Sequence, residues 1–244
     1  MKVGDTVPAA AAVTALAVAA ALSHGALGQP SQTAAPGAEE VLARVAATYA
    51  ACRSYSDSGV VTDRYPGLVA HTTTKPFRTA FVRPGRFRFQ FAETKGFVGG
   101  EYLYIVWRNG DDVRTWWDVR PGVQKAPSLG EALGAATGVS GGSAHRIPAL
   151  LMPPEVGGRR LTGVAQARLL GDAAVGASAC YRIGGTYADG PITVWVDKAT
   201  FLVRRVDLTT TIPSGTVEST TTYEPILDGE VSEAMLAFDP PTRQ

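Results

Sequence analysis

The chain has 244 residues, 45% of them hydrophobic, so one large domain with a sizeable core is within reach. Its 23 Lys+Arg nearly cancel its 22 Asp+Glu, leaving a formal net charge of +1. That balance, with no dense basic tract, excludes a phosphate-backbone binder, so no nucleic-acid partner is expected.

The N-terminus reads as an export signal. Lys2 supplies a thin positive start, weakened by Asp5, and Ala9 to Leu22 is an apolar run of 14 residues. A membrane span needs about 20. Ala26-Leu27-Gly28 puts small residues where a signal peptidase reads, so residues 1–28 are expected to be cleaved. The alternative is an uncleaved anchor. No cysteine follows the signal, so no lipid-attachment box is present, and the expected location is the periplasm or outside the cell. In such an oxidising compartment Cys52 and Cys180 invite a disulfide. Closing a loop of that length is worth about 4–5 kcal/mol in the chain-entropy model. Two buried free thiols are the alternative.

Residues 29–37, rich in Pro, Ala, Ser and Gln, read as a flexible leader, and 38–244 as one domain. From Glu39 to Cys52 the spacing predicts a helix, with Val41, Leu42, Val45, Tyr49 and Cys52 on one face. The period then becomes twofold. Strands are expected at Gly59 to Thr62 and Thr72 to Phe81, where Pro76 argues for an edge or a bulge. Arg86-Phe87-Arg88-Phe89-Gln90-Phe91 alternates throughout, with three rings on one face. Tyr102 to Trp107 and Val113 to Asp118 flank Asn109-Gly110, a strong hairpin signal. Ser128 and Glu131 form a capping box that opens a helix through about Thr137. A second apolar stretch, Arg146 to Met152, gives one or two short mobile helices. Strands resume at Ala167 to Leu170, Ala179 to Ile183, Ile192 to Val196, Phe201 to Thr211, Val217 to Tyr223 and around Ala237-Phe238.

The fold class expected is α+β, mainly β. One antiparallel sheet of about ten strands carries an N-terminal helix and a central helical insert. A sheet of that size curls and has a concave apolar face. Candidate ligand-binding residues on that face are Phe87, Phe89, Phe91, Trp107, Trp116 and Trp195. The other reading is that the rings fill a solid core.

Four segments, in order, resemble the LolA/LolB-like superfamily of periplasmic lipoprotein carriers and related sensor proteins. They are Phe81-Val82-Arg83-Pro84-Gly85-Arg86-Phe87, Val106-Trp107-Arg108-Asn109-Gly110, Trp195-Val196-Asp197 with Leu202 and Arg205, and Phe238-Asp239-Pro240-Pro241. The resemblance implies a half-open barrel covered on its concave side by the N-terminal helix and a short central helical lid, around a cavity for acyl chains. Leu129, Leu133, Ile147, Leu150 and Leu151 would be the lid residues. The arginine of the Arg-Pro strand, here Arg83, would sit inside the cavity and hydrogen-bond the lid. The sequence departs from the carrier in continuing only three residues past Pro241, short of a C-terminal hook strand. The fold is therefore implied more firmly than the task.

Catalytic motifs are poor. Gly138-Val139-Ser140-Gly141-Gly142 matches G-x-S-x-G, yet a predicted helix precedes it and the last histidine is His145. A serine esterase using Ser140 and His145 is an outside alternative. His71 and His145 have no second ligand at metal-binding spacing. No phosphate loop or dinucleotide fingerprint occurs, so no cofactor and no metal are expected. The expected function is not enzymatic: a carrier-like protein holding the acyl chain of a lipid or lipoprotein. An envelope-stress or lipid-sensing protein with an envelope protein partner is the alternative. Arg159-Arg160 and Arg204-Arg205 leave transient contact with an anionic membrane surface open.

Overall fold

Glu39 and Glu40 begin the first helix, α1 (Ala38–Ala51), where acidic side chains complement the helix dipole. Val41, Leu42, Val45 and Tyr49 form its buried face, as the spacing requires. The computed structural model describes residues 36–66, 70–94, 101–188, 190–213 and 215–241. The expected signal, 1–28, and the leader as far as residue 35 lie outside the described residues.

After α1 the chain runs as an antiparallel meander: β1 (Ser54–Tyr65), β2 (His71–Val82), β3 (Arg86–Thr94), β4 (Glu101–Asn109), β5 (Asp112–Trp117) and β6 (Arg120–Lys125). Three helices follow: α2 (Leu129–Thr137), α3 (Ser143–Arg146) and α4 (Pro148–Leu151). A second meander comprises β7 (Ala165–Val175), β8 (Ser178–Tyr187), β9 (Gly190–Asp197), β10 (Val203–Ile212) and β11 (Gly215–Tyr223). It ends with β12 (Ile226–Leu227) and the one-turn α5 (Glu233–Leu236). The last strand of the second meander pairs with the first strand of the first, so both merge into one sheet. Its order is β6-β5-β4-β3-β2-β1-β11-β10-β9-β8-β7, with β12 beside β1. The sheet is open and curved, with β6 and β7 as edges. Pro121 and the positive-φ Gly122 interrupt one edge, and two register shifts the other; both devices discourage further strand pairing.

Several expectations are corrected. Among the described residues the sheet has twelve strands where about ten were expected. β1 begins at Ser54 because Tyr55, Asp57, Gly59 and Val61 share the buried face, an alternation hidden by the polar residues between them. Pro76 lies in an interior strand, between β1 and β3, but the β2–β3 ladder ends at Phe77↔Phe91, so its missing N–H falls where pairing has stopped. β6 was not expected from Arg-Pro-Gly-Val-Gln-Lys. No strand forms at Ala237-Phe238; Phe238 instead packs its ring 5.4 Å from that of Trp107.

The disulfide is also absent, since both thiols are free and buried. Cys52 caps α1 and donates to the Tyr49 carbonyl, whereas Cys180 sits on β8 and donates to the Ser178 carbonyl. Burial pushes the Cys52 thiol up to about 11 and raises that of Cys180. Both therefore behave as small apolar side chains.

Candidate functional site

The alternation of β3 decides the geometry. Phe87, Phe89 and Phe91 are 0%, 0% and 2% exposed, and Arg86, Arg88 and Gln90 point to the opposite face. Register carries the inner face across the sheet. Phe89 stands opposite Thr79 and Val106, and Phe91 opposite Phe77 and Tyr104. The rings form a chain in which neighbouring centroids are 5.5–6.3 Å apart: Tyr223, Phe77, Phe89, Phe91, Tyr104 and Trp117. Gly59 makes one link possible. It pairs with both Phe77 and Tyr223, and a Cβ there would come within 2.3 Å of the Phe77 ring.

Helices cover this floor. The Ser128 hydroxyl accepts from the Glu131 backbone N–H at 3.2 Å, so the capping box opens α2 as expected. Leu129, Leu133, Ile147, Leu150 and Leu151 are all at most 3% exposed and belong to the same buried core as the phenylalanines. The short helices expected to be mobile are thus packed in. Gly141 and Gly142 turn the chain between α2 and α3 at φ of 62° and 84°, bringing Gly141 against Val61 and Gly142 against the Arg146 guanidinium. Arg146, buried, donates to the Thr221 hydroxyl at 2.9 Å and ties α3 to β11. The Tyr49 hydroxyl accepts from the Val203 backbone N–H at 3.0 Å and ties α1 to β10. In this conformation the inner face is closed, and its rings lie in a packed core.

Arg83 lies at the rim of that core, exposed, and not inside it as the resemblance implied. It follows the end of β2. Its Nε donates to the Cys52 carbonyl at 2.6 Å, and one terminal nitrogen donates to Ala50 at 2.6 Å and to Leu151 at 2.8 Å. Ala50 and Cys52 end α1, where carbonyls lack helical partners and a cation is favoured. Leu151 ends α4. One guanidinium therefore joins both helical elements of the roof, 5.1 Å over the Phe81 ring.

Three of the tryptophans grouped with the phenylalanines are on the other face. Trp107 is opposite Arg88 and Arg114, Trp116 opposite Ile105, and Trp195 opposite Arg205. The Arg205 guanidinium covers the Trp195 ring at 4.8 Å. Within the pair Trp116-Trp117 it is Trp117 that packs against the inner core, a choice that residue type alone does not make. The parity of β4 and β5 follows only from their register with β3, which the Asn-Gly turn cannot supply. Tyr55 was missed as an inner-face residue because the polar residues around it hide the alternation of β1.

The inner face also holds a carboxylate. Asp57 is 6% exposed and accepts from the Tyr55 hydroxyl at 2.8 Å. Burial pushes its pKa up to about 6, against the pull of hydrogen bonds from Thr79 and Tyr55. Ser140 and His145 do not pair. The Ser140 hydroxyl donates to the Thr137 carbonyl and accepts from the Ala144 N–H, and the His145 ring bonds the Gly157 carbonyl at 2.7 Å. Among the described residues no His/Cys/Asp/Glu group could hold a metal, and no helix is long and apolar enough to cross a membrane.

Fold and site together define an open half-barrel with a helix-covered apolar inner face. No family model matches the sequence, and no curated protein does. Solved structures to which the chain is similar include LprF from Mycobacterium bovis, 12% identical, with 80% of this chain and 94% of that one covered and a TM-score of 0.49. A LolA superfamily protein from Nitrosomonas europaea is 11% identical, with 84% and 99% covered and a TM-score of 0.30. A chain of the MucA/MucB complex from Pseudomonas aeruginosa is 15% identical, with 83% and 61% covered and a TM-score of 0.46. These are likenesses of fold.

Proposed function

We propose that this is a carrier-like binding protein of the bacterial envelope, which holds the acyl chain of a lipid or lipoprotein against the inner face. Cargo enters when the segment from α2 to α4 lifts. The observation that carries this reading is Arg83, whose guanidinium bridges the end of α1 and the end of α4 at the rim. A fully fused core needs no such exposed tie, whereas a roof that moves as a unit needs a latch that can be exchanged. Lifting the roof exposes Leu129, Leu133, Leu150 and Leu151 with the phenylalanines beneath them. An acyl chain that takes their place recovers about 25 cal/mol per Å² of apolar area. The polar ties, Arg83 to Leu151 and Arg146 to Thr221, fix the closed position.

Native mass spectrometry of the protein purified from the envelope tests the reading, with a co-purified lipid as the expected result. An unloaded protein that also gains no mass when incubated with phospholipid vesicles would overturn it. The latch has a separate test. Arg83→Leu should speed amide exchange across 129–152 by about three- to tenfold, the value of one or two partly exposed hydrogen bonds. Unchanged exchange there removes the latch.

A further inference from the structure

A groove opens on the outer face, away from the covered core. It has two adjoining lobes of about 900 Å³ and 860 Å³, both lined by Ser58, Arg78, Gln90, Arg204 and Glu224. These five residues stand on β1, β2, β3, at the start of β10 and just past the end of β11, strands that are adjacent in the sheet. At ~4.8 Å per strand the groove crosses the sheet for about 20 Å, the length of about six extended residues.

The outer face already receives an acidic stretch of its own chain. Arg86 pairs with Glu233, Arg88 with Asp239, and the Trp107 Nε1 donates to the Leu236 carbonyl at 2.7 Å. That stretch forms one wall of the groove through Ala234, Met235 and Asp239. Arg78 continues the basic row on the neighbouring strand. It is exposed, diagonal to Arg88, and has no carboxylate partner among the described residues. Within the groove Arg88 Nε and Arg204 Nε are buried with no hydrogen-bond partner among the described residues. At the same end Ile226 and Met235 are 57% and 38% exposed. An acyl chain laid here would desolvate the exposed Arg78 guanidinium without giving it a partner, a cost that a peptide avoids with a carboxylate of its own.

We propose that this groove docks an extended acidic peptide segment of a partner protein. A carboxylate of the segment sits on Arg78, and an apolar side chain rests against Ile226 and Met235. The segment continues across the strands what residues 233–239 do beside it.

Fluorescence anisotropy with the full chain and a labelled eight-residue peptide of alternating leucine and glutamate, at low salt, tests this. The expected result is saturable binding that salt weakens, with Arg78→Glu weakening it about tenfold and Arg78→Gln by less. A peptide with lysine in place of glutamate should not bind. The proposal falls if no saturable binding occurs, or if wild type and Arg78→Glu bind alike. It also falls if phosphatidylglycerol vesicles, and not the peptide, bind in an Arg78-dependent way. Lipid occupancy in native mass spectrometry should be the same in Arg78→Glu, so failure here is separable from failure of the carrier reading.

Discussion

The two faces of this sheet are made by the same strands and have opposite characters. On the inner face Phe77, Phe87, Phe89 and Phe91 are sealed under α1 to α4, and the polar groups present are buried. On the outer face Arg78, Arg86, Arg88 and Arg205 alternate with tryptophans and carboxylates, and a groove stays open. A single strand, β3, writes both, because residues of even and odd number point to opposite sides. What separates a sealed apolar face from an open polar one in this molecule is parity, and a residue's neighbours along the chain say little about its company in space.

That contrast is sharpest for truncations. Phe89→Ala removes a fully buried ring that touches Phe77 and Phe91 and leaves a cavity under the helices. It should cost about 3–5 kcal/mol, read from the urea midpoint. A loss below about 1 kcal/mol would mean that the roof collapses easily onto the gap. The inner face would then be less firmly packed than its burial indicates.

The carboxylates of the two faces should respond oppositely to pH. Asp57, on the inner side, has its pKa raised to about 6 by burial, so the folded protein holds a proton that the unfolded chain gives up near pH 4. Folding stability from this group is therefore greatest at low pH and falls as pH rises through about 6. Asp197 and Asp228 have pKa values held below the usual carboxylate range; Asp197's backbone and side-chain hydrogen bonds outweigh its burial, and Asp228 accepts from the Arg53 and Ser54 backbone. Their contribution is lost as pH falls. Asp57→Asn keeps an acceptor for Tyr55 and removes only the first effect. The variant should gain about 1.4 kcal/mol on wild type between pH 5 and pH 8. A constant difference across that range would show Asp57 to be ionised and solvated after all.

The sequence disclosed more of the fold than of the site. Period and punctuation located α1, the Ser128–Glu131 cap of α2, the Asn109-Gly110 turn and the β3 alternation, because each depends on residues within one or two turns of chain. Long-range register did not show. Trp107, Trp116 and Trp195 were grouped with the phenylalanines on residue type; pairing across β3, β4 and β5 put the first two outside, and the register of β9 with β10 the third. β6 and β12 carry too little apolar signal to be read locally. The pairing of Cys52 with Cys180 rested on compartment and number, whereas each thiol finds a backbone carbonyl of its own. Arg83 was identified through its motif, and its position at the rim, reaching two helix ends, depends on how α1 and α4 converge.

The smallest effect tests the assignment of faces most directly. Trp107→Phe keeps a ring against Phe238 and loses only the Nε1 donor to Leu236. The cost should be about 1 kcal/mol, one part-buried hydrogen bond, and the faster amide exchange should be confined to residues 233–239. Because Trp107 sits behind β4 from the phenylalanines, the variant should carry as much lipid as wild type. If the substitution instead changed lipid occupancy with the 233–239 amides still protected, Trp107 would belong with the inner face. The parity that divides this sheet would then be wrong at β4.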